Sequence, residues 1–197
     1  IAGGFSFFPT KVMTTGEGGM IVTDNEELFR RALSLRQFGK TGKSIYQNYS
    51  EILGYNWRMT EISALMGITQ LRRLEQFIRR RTELANIYTE KLKNINGIKL
   101  MEISDRVHHN WFKYILFLKN QSRERLHKKL KNESGIDLSG YVYEIPLHKQ
   151  PALKEYSKGS FPIAEDLCSR HICLPLFYSL TDDDVFYIVK SLRELIR

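Results

Sequence analysis

Cysteine is scarce in this sequence: only Cys168 and Cys173 occur among 197 residues. Their spacing fits no Cys-x-x-Cys pattern, which excludes a disulfide framework and favours a reducing, cytoplasmic setting. No apolar run is long enough to cross a bilayer; the nearest, residues 114–118, is strand-sized, so no membrane partner is expected. The five histidines show no metal-ligand spacing. His108 and His109 are adjacent and would point to opposite faces of a strand, so no metal site is expected. Proline is also sparse, at 5, against 11 Phe, 10 Tyr and 42% hydrophobic residues, which excludes a disordered chain. Nothing at the start reads as a signal peptide. The chain opens IAGGFSFFPTKV, with neither an initiator Met nor a basic stretch, and the expectation is that it begins in mid-domain.

Charge is the one composition signal in excess, with 30 Lys and Arg against 22 Asp and Glu, a net +8. Arg72, Arg73, Arg79, Arg80 and Arg81 sit on one long helical stretch with Glu75 and Glu83 between them. That pattern is a solvated helix face, and without a helix-turn-helix, zinc-finger or RNP signature no nucleic-acid partner is expected.

Along the chain, residues 5–8 read as a short buried strand stopped by Pro9. After Lys11, the turn Gly16-Glu17-Gly18-Gly19 leads into a second strand, Met20-Ile21-Val22. Thr23 to Glu26 and Asp24 to Glu27 offer capping-box spacings for a helix ending near Gln37, with Gly39 just past its end. Residues 40–57 are polar and aperiodic, a long loop of the kind that carries function. Thr60 caps a dominant helical segment whose apolar period runs to about Asn94, with a bend; Gly97 ends it. Beyond it, residues 98–103 and 112–118 read as strands, 122–133 as a basic helix capped by Ser122, and Gly135 as the start of another strand. A proline-containing loop at 141–151 precedes helices at 162–171 and 181–196. Short strands interleaved with helices describe a small α+β domain.

A lysine amine becomes a nucleophile only when neutral, which needs desolvation or a nearby positive charge. Lys11 follows an apolar strand and precedes a glycine turn, where a backbone corner can hold an amine at a pocket floor. By spacing alone it also reads as an ordinary solvated loop lysine. Gly16, Gly18 and Gly19 are turn formers and not a phosphate loop, because no Gly-Lys-Ser/Thr follows them.

Read together, the segments say more. Phe5-Ser6-Phe7-Phe8-Pro9-Thr10-Lys11, with Thr14-Thr15-Gly16-Glu17-Gly18-Gly19-Met20, resembles the cofactor-lysine segment of the DegT/StrS family of PLP-dependent sugar aminotransferases. The likeness continues in Leu35-Arg36-Gln37-Phe38-Gly39 and in Gly54-Tyr55-Asn56-Trp57-Arg58-Met59-Thr60-Glu61-Ile62. It resumes in Ile145-Pro146-Leu147-His148-Lys149-Gln150-Pro151 and Leu174-Pro175-Leu176, so it covers nearly the whole chain in order.

The resemblance implies an α/β fold, the C-terminal part of a fold-type-I PLP transferase. Residues 1–59 would be a remnant of the large-domain sheet, 60–94 a long connecting helix and 95–197 a small α+β domain. Lys11 matches the lysine that carries pyridoxal 5'-phosphate covalently and moves the substrate's α-proton. Ser6 matches a hydroxyl that binds the cofactor phosphate, and Asn56 an amide reaching the phosphate of the neighbouring subunit's PLP, which implies a homodimer. Arg58 would contact phosphate or substrate diphosphate, and His148 lies in the loop approaching the sugar nucleotide. The partners implied are a nucleotide-linked keto sugar and an amino donor such as glutamate. Plainer roles stay open: a strand hydroxyl for Ser6, a turn cap for Asn56, pairing with Glu61 for Arg58, packing beside Pro146 and Pro151 for His148.

Family chains extend further on the N-terminal side, where they carry the carboxylate beside the pyridine nitrogen and the residue stacked on the ring. The expectation is therefore a truncated chain, inactive by itself. A non-catalytic dimerising or ligand-binding module derived from the family is the alternative.

Overall fold

The computed structural model describes residues 1–43 and 48–196. It forms two compact units, Ile1–Glu75 and Gln76–Arg197.

In the first unit, β1 (Ala2–Ser6) pairs antiparallel with β2 (Gly19–Thr23), from Ala2 opposite Thr23 to Ser6 opposite Gly19. The first strand thus starts and ends earlier than the 5–8 expected from its aromatics, and it is not a buried one. Phe5 (56% exposed) and Ile21 (61%) stand open, and only Phe7, just past β1, is buried. An isolated two-stranded ribbon has no second layer to cover it. Helix α1 (Glu26–Arg36) is capped by Asn25, whose side chain accepts from the Leu28 amide. Neither Thr23 nor Asp24 caps it, because the Thr23 hydroxyl instead accepts from the Asn25 amide and turns the chain one step later. Helix α2 (Glu61–Arg72) starts at Thr60, as its hydroxyl accepting from the Ser63 amide requires. Its apolar residues run around the whole cylinder and none of its residues is buried; Ile62 is 74% exposed. Such a helix is normally covered on all sides.

The apolar period read over 60–94 is carried by two helices, α2 and α3 (Leu74–Leu92). Between them Arg73 closes the first, its amide donating to the Gln70 and Leu71 carbonyls. In the second unit a three-stranded antiparallel sheet has the order β3 (Ile98–Leu100), β4 (Tyr114–Leu118), β5 (His171–Leu174). Tyr114, Leu116 and Leu118 point inward at strand period, onto Leu84, Tyr88 and Leu92 of α3 and the buried faces of α4 (Arg123–Ser134) and α6 (Asp182–Leu195). Phe112 lies outside the strand, and residues 101–103 do not continue β3.

Gly135 opens no strand: it is the left-handed cap of α4, φ +66°, and the buried Ile136 and Leu138 that follow pack as irregular chain. Conversely β5, fully buried, follows α5 (Pro162–Arg170) with no turn residue between them. His108 and His109 lie in a loop, and among the described residues no cluster suits a metal ion. No helix among them is long and apolar enough to cross a membrane.

Candidate active site

The turn that presents Lys11 is built from backbone corners and hydroxyls. The Lys11 amide donates to the Phe8 carbonyl at 2.9 Å, closing a β-turn with Pro9 at its second position, where proline's fixed φ fits. The Phe7 carbonyl then accepts twice, from the Thr14 hydroxyl at 2.9 Å and the Thr15 amide at 3.0 Å, while the Phe7 amide donates to the Gly18 carbonyl. The Thr15 hydroxyl, buried, donates to the Glu17 carbonyl at 2.7 Å. Residues 7–18 are thereby one compact hairpin tip, and Lys11 stands half-buried within it.

Glycine is required at two points of that tip, Gly16 at φ +78° and Gly18. Gly18 sits at φ +155°, and a Cβ there would fall 2.5 Å from the Thr15 hydroxyl oxygen and 3.2 Å from the Met59 terminal methyl carbon. Met59 therefore touches the underside of the tip, and Gly67 of α2 lies close enough that a Cβ would meet the Thr15 methyl at 3.1 Å. Ser6 lies at the end of β1, exposed; its hydroxyl oxygen accepts a long 3.4 Å bond from the Phe8 amide.

A second group sits where residues 51–57 return beside the C-terminal end of α1. Gln37 and Asn56 form an antiparallel bridge. The Phe38 amide donates to the Tyr55 carbonyl at 2.9 Å and the Tyr55 amide to the Leu35 carbonyl at 2.7 Å. Phe38 adopts φ +60°, uncommon for a bulky residue, and its ring lies 5.1 Å from the Arg58 guanidinium carbon. Arg58 donates from Nε to the Asn56 Oδ1 at 3.0 Å, turning to Asn56 rather than to Glu61. With Oδ1 occupied by this donor, the Asn56 amide nitrogen is directed away from Arg58 as a donor. The cap of α2 itself is Thr60.

His148 belongs to the second unit. Its Nε2 lies 3.0 Å from the Glu165 Oε1, and its ring packs against Phe161 at 4.8 Å. Lys149 pairs with the same carboxylate, and the bonds from Lys149 and then His148 hold Glu165 below the usual carboxylate range. The structure thus gathers Ser6 and Lys11 on one turn and Asn56 and Arg58 on a second segment, with His148 on a separate 3-10 turn, Leu147–Lys149.

Sequence reading missed the supporting residues. Thr14 and Thr15 shape the tip, Phe38 stacks beneath Arg58, and Glu165 binds His148. The threonines and Phe38 lie in the segments that carry the family likeness, whereas Glu165 lies outside them.

Known proteins extend the picture. Residues 2–193 match the description of the DegT/DnrJ/EryC1/StrS aminotransferase family. The GDP-perosamine synthase of Escherichia coli O157:H7 is 40% identical over 194 residues, covering 96% of this chain and 50% of that protein. Among solved structures, DesV from S. venezuelae, in complex with a ketimine intermediate, superposes with a TM-score of 0.87 at 28% identity over 98% of this chain and 51% of that one. Spr1654 from Streptococcus pneumoniae in its PLP form gives 0.86 at 26% identity, over 98% and 51%. The chain spans about half the length of the relatives it matches, and its mixed α/β structure is that of the corresponding part of the aminotransferase fold. With residues 2–193 matched to the family, this chain belongs to the DegT/DnrJ/EryC1/StrS aminotransferases.

Proposed function

We propose that this chain serves a PLP-dependent transfer of an amino group, from glutamate, to a keto group on a nucleotide-linked sugar. The observation that carries the reading is the tip at 7–18, which holds Lys11 half-buried on a hydroxyl-braced turn one strand-end away from Ser6. That donor set suits a phosphorylated aldehyde: an amine for the carbonyl carbon, and a hydroxyl for the phosphate. PLP, when bound, would supply the electron sink for the electron pair left when the amine-bearing carbon loses its proton. Lys11 is its covalent anchor and afterwards carries a proton to and from the substrate carbon on Nζ. Ser6 donates a hydrogen bond from its hydroxyl to the phosphate. Asn56, its Oδ1 held by Arg58, offers its amide N–H to the phosphate of a neighbouring subunit's cofactor in a homodimer. Arg58 adds positive charge for phosphate or substrate diphosphate, and His148, oriented by Glu165, faces the sugar nucleotide.

Amino transfer requires more polypeptide than these 197 residues, in keeping with relatives of about twice the length. A test joins this chain to the N-terminal half of the E. coli relative. The expected result is glutamate-dependent amination of a keto sugar nucleotide that Lys11→Ala removes by at least about a thousandfold, the scale on which loss of an essential nucleophile acts. Activity that survives Lys11→Ala would contradict the assignment. A second reading, a dimerising module without chemistry, is favoured by the uncovered apolar surface of α2. Self-association of the 197-residue chain together with an inactive hybrid would support it.

A further inference from the structure

His171 is the residue at which α5 ends and β5 begins, and it is 4% exposed. Both ring nitrogens are engaged. Nδ1 lies 3.0 Å from the Leu167 carbonyl oxygen, which can only accept, so Nδ1 bears the proton. Nε2 lies 3.0 Å from the Val142 amide nitrogen, which can only donate, so Nε2 is bare. The two partners together fix one neutral tautomer.

Val142 stands at the root of the segment that carries His148. That root is pinned to β5 by the Ser139 amide on the Cys173 carbonyl and the Ser139 hydroxyl on the Leu174 carbonyl. The Tyr141 and His171 rings meet edge to face with centroids 5.6 Å apart, and the Arg123 guanidinium lies over the Tyr141 ring at 4.2 Å. Arg123 also donates to the Cys168 and Glu144 carbonyls. Further along, His148 and Lys149 meet Glu165 of α5, and the Gln150 side chain donates to the Ile145 carbonyl.

We propose that His171 is a positioning residue that latches segment 141–150 through a nitrogen that must stay unprotonated, so that acid releases the root of the segment bearing His148. A proton on Nε2 removes the acceptor that the ring offers to the Val142 amide. It also places a further positive charge beside Arg123 and Lys113. The groups acting on the ring are the Leu167 and Cys168 carbonyls of α5, which favour its proton, Arg123 of α4 and Lys113 before β4, which oppose it, and the Tyr141 ring, with Glu124, Glu144 and Cys173 reaching Tyr141. Burial, chiefly, holds the imidazole below its ordinary range. The importance of this segment for a sugar nucleotide rests on the proposed function; the latch itself does not.

NMR on the whole 15N-labelled chain tests it without cofactor or substrate. At pH 7.5 the ring should show its proton on Nδ1. On acidification the Val142 amide should shift with the His171 midpoint while the Leu116 amide stays still. In His171→Leu the Val142 amide should exchange roughly fivefold faster at every pH, the scale of one lost hydrogen bond. His171→Gln, whose carbonyl oxygen can accept but does not titrate, should restore protection and remove the pH response. A proton on Nε2 at pH 7.5, a Val142 amide indifferent to the ring's titration, or joint movement of Leu116 would overturn the proposal. Since no arm involves PLP, failure of the aminotransferase reading leaves this result standing, and the reverse.

Discussion

Single residues in this chain are held by the chemistry of their neighbours, and two histidines make this measurable. His109 accepts the Trp111 amide on Nδ1 at 2.9 Å, and His171 accepts the Val142 amide on Nε2. Burial holds both below their ordinary 6.5. The unfolded chain therefore binds more protons than the folded one once the pH falls below that value. Their contribution to stability is complete above pH 6.5 and is lost as the pH drops towards the folded values. The urea midpoint should fall between pH 7.5 and 5.5, and fall less in His171→Gln. A midpoint rising over that window would contradict the assignment of neutral imidazoles. At this scale Lys11, Ser6, Asn56 and Arg58 were singled out by the two motif segments around them, residues 5–20 and 54–62. Their partners were not: Phe38 reaches Arg58, and Glu165 reaches His148, only through the fold.

Elements add constraints that no one side chain shows. The return of residues 51–57 beside α1 depends on two glycines in contact. A Cβ on Gly39 (φ +76°) would lie 1.7 Å from the Ile52 carbonyl oxygen, and one on Gly54 2.0 Å from the Gly39 nitrogen. Neither obstacle is a flexible side-chain end. Gly39→Ala should destabilise the first unit by about 2 kcal/mol or more, with faster proteolysis within residues 48–57; an unchanged cleavage pattern would contradict the close approach. In the second unit Leu116 of β4 is fully buried, and Leu116→Ala should cost about 3 kcal/mol by urea unfolding. Helices were the most legible elements, as Thr60, Ser122 and the Thr181–Asp184 capping box announce their starts. Strand β5 was hidden because it follows α5 without punctuation. Gly135 misled because a left-handed helix cap and a turn into a strand use the same residue for the same reason.

For the whole molecule the decisive contrast is between the two units. The second encloses a continuous core from α3 through α6. The first leaves Phe5, Met20, Ile21, Ile62 and Leu65 more than half exposed. Apolar surface of this extent on a ribbon and a helix marks faces made to be covered. The 197-residue chain alone should accordingly bind no stoichiometric PLP, and spectra with added cofactor should be unchanged by Lys11→Ala. A lysine-dependent, one-to-one signal from this chain alone would overturn that expectation. The family was legible in sequence because five segments match in order. The division into units was not, since it falls between Glu75 and Gln76, inside the apolar period, with no glycine or proline to mark it.

The most direct measurement is borohydride reduction of the hybrid protein after incubation with PLP, followed by peptide mass mapping. The account predicts a single phosphopyridoxyl group on the peptide containing Lys11, absent from Lys11→Ala. A label on any other lysine, or an equal label in the Lys11→Ala protein, would contradict it.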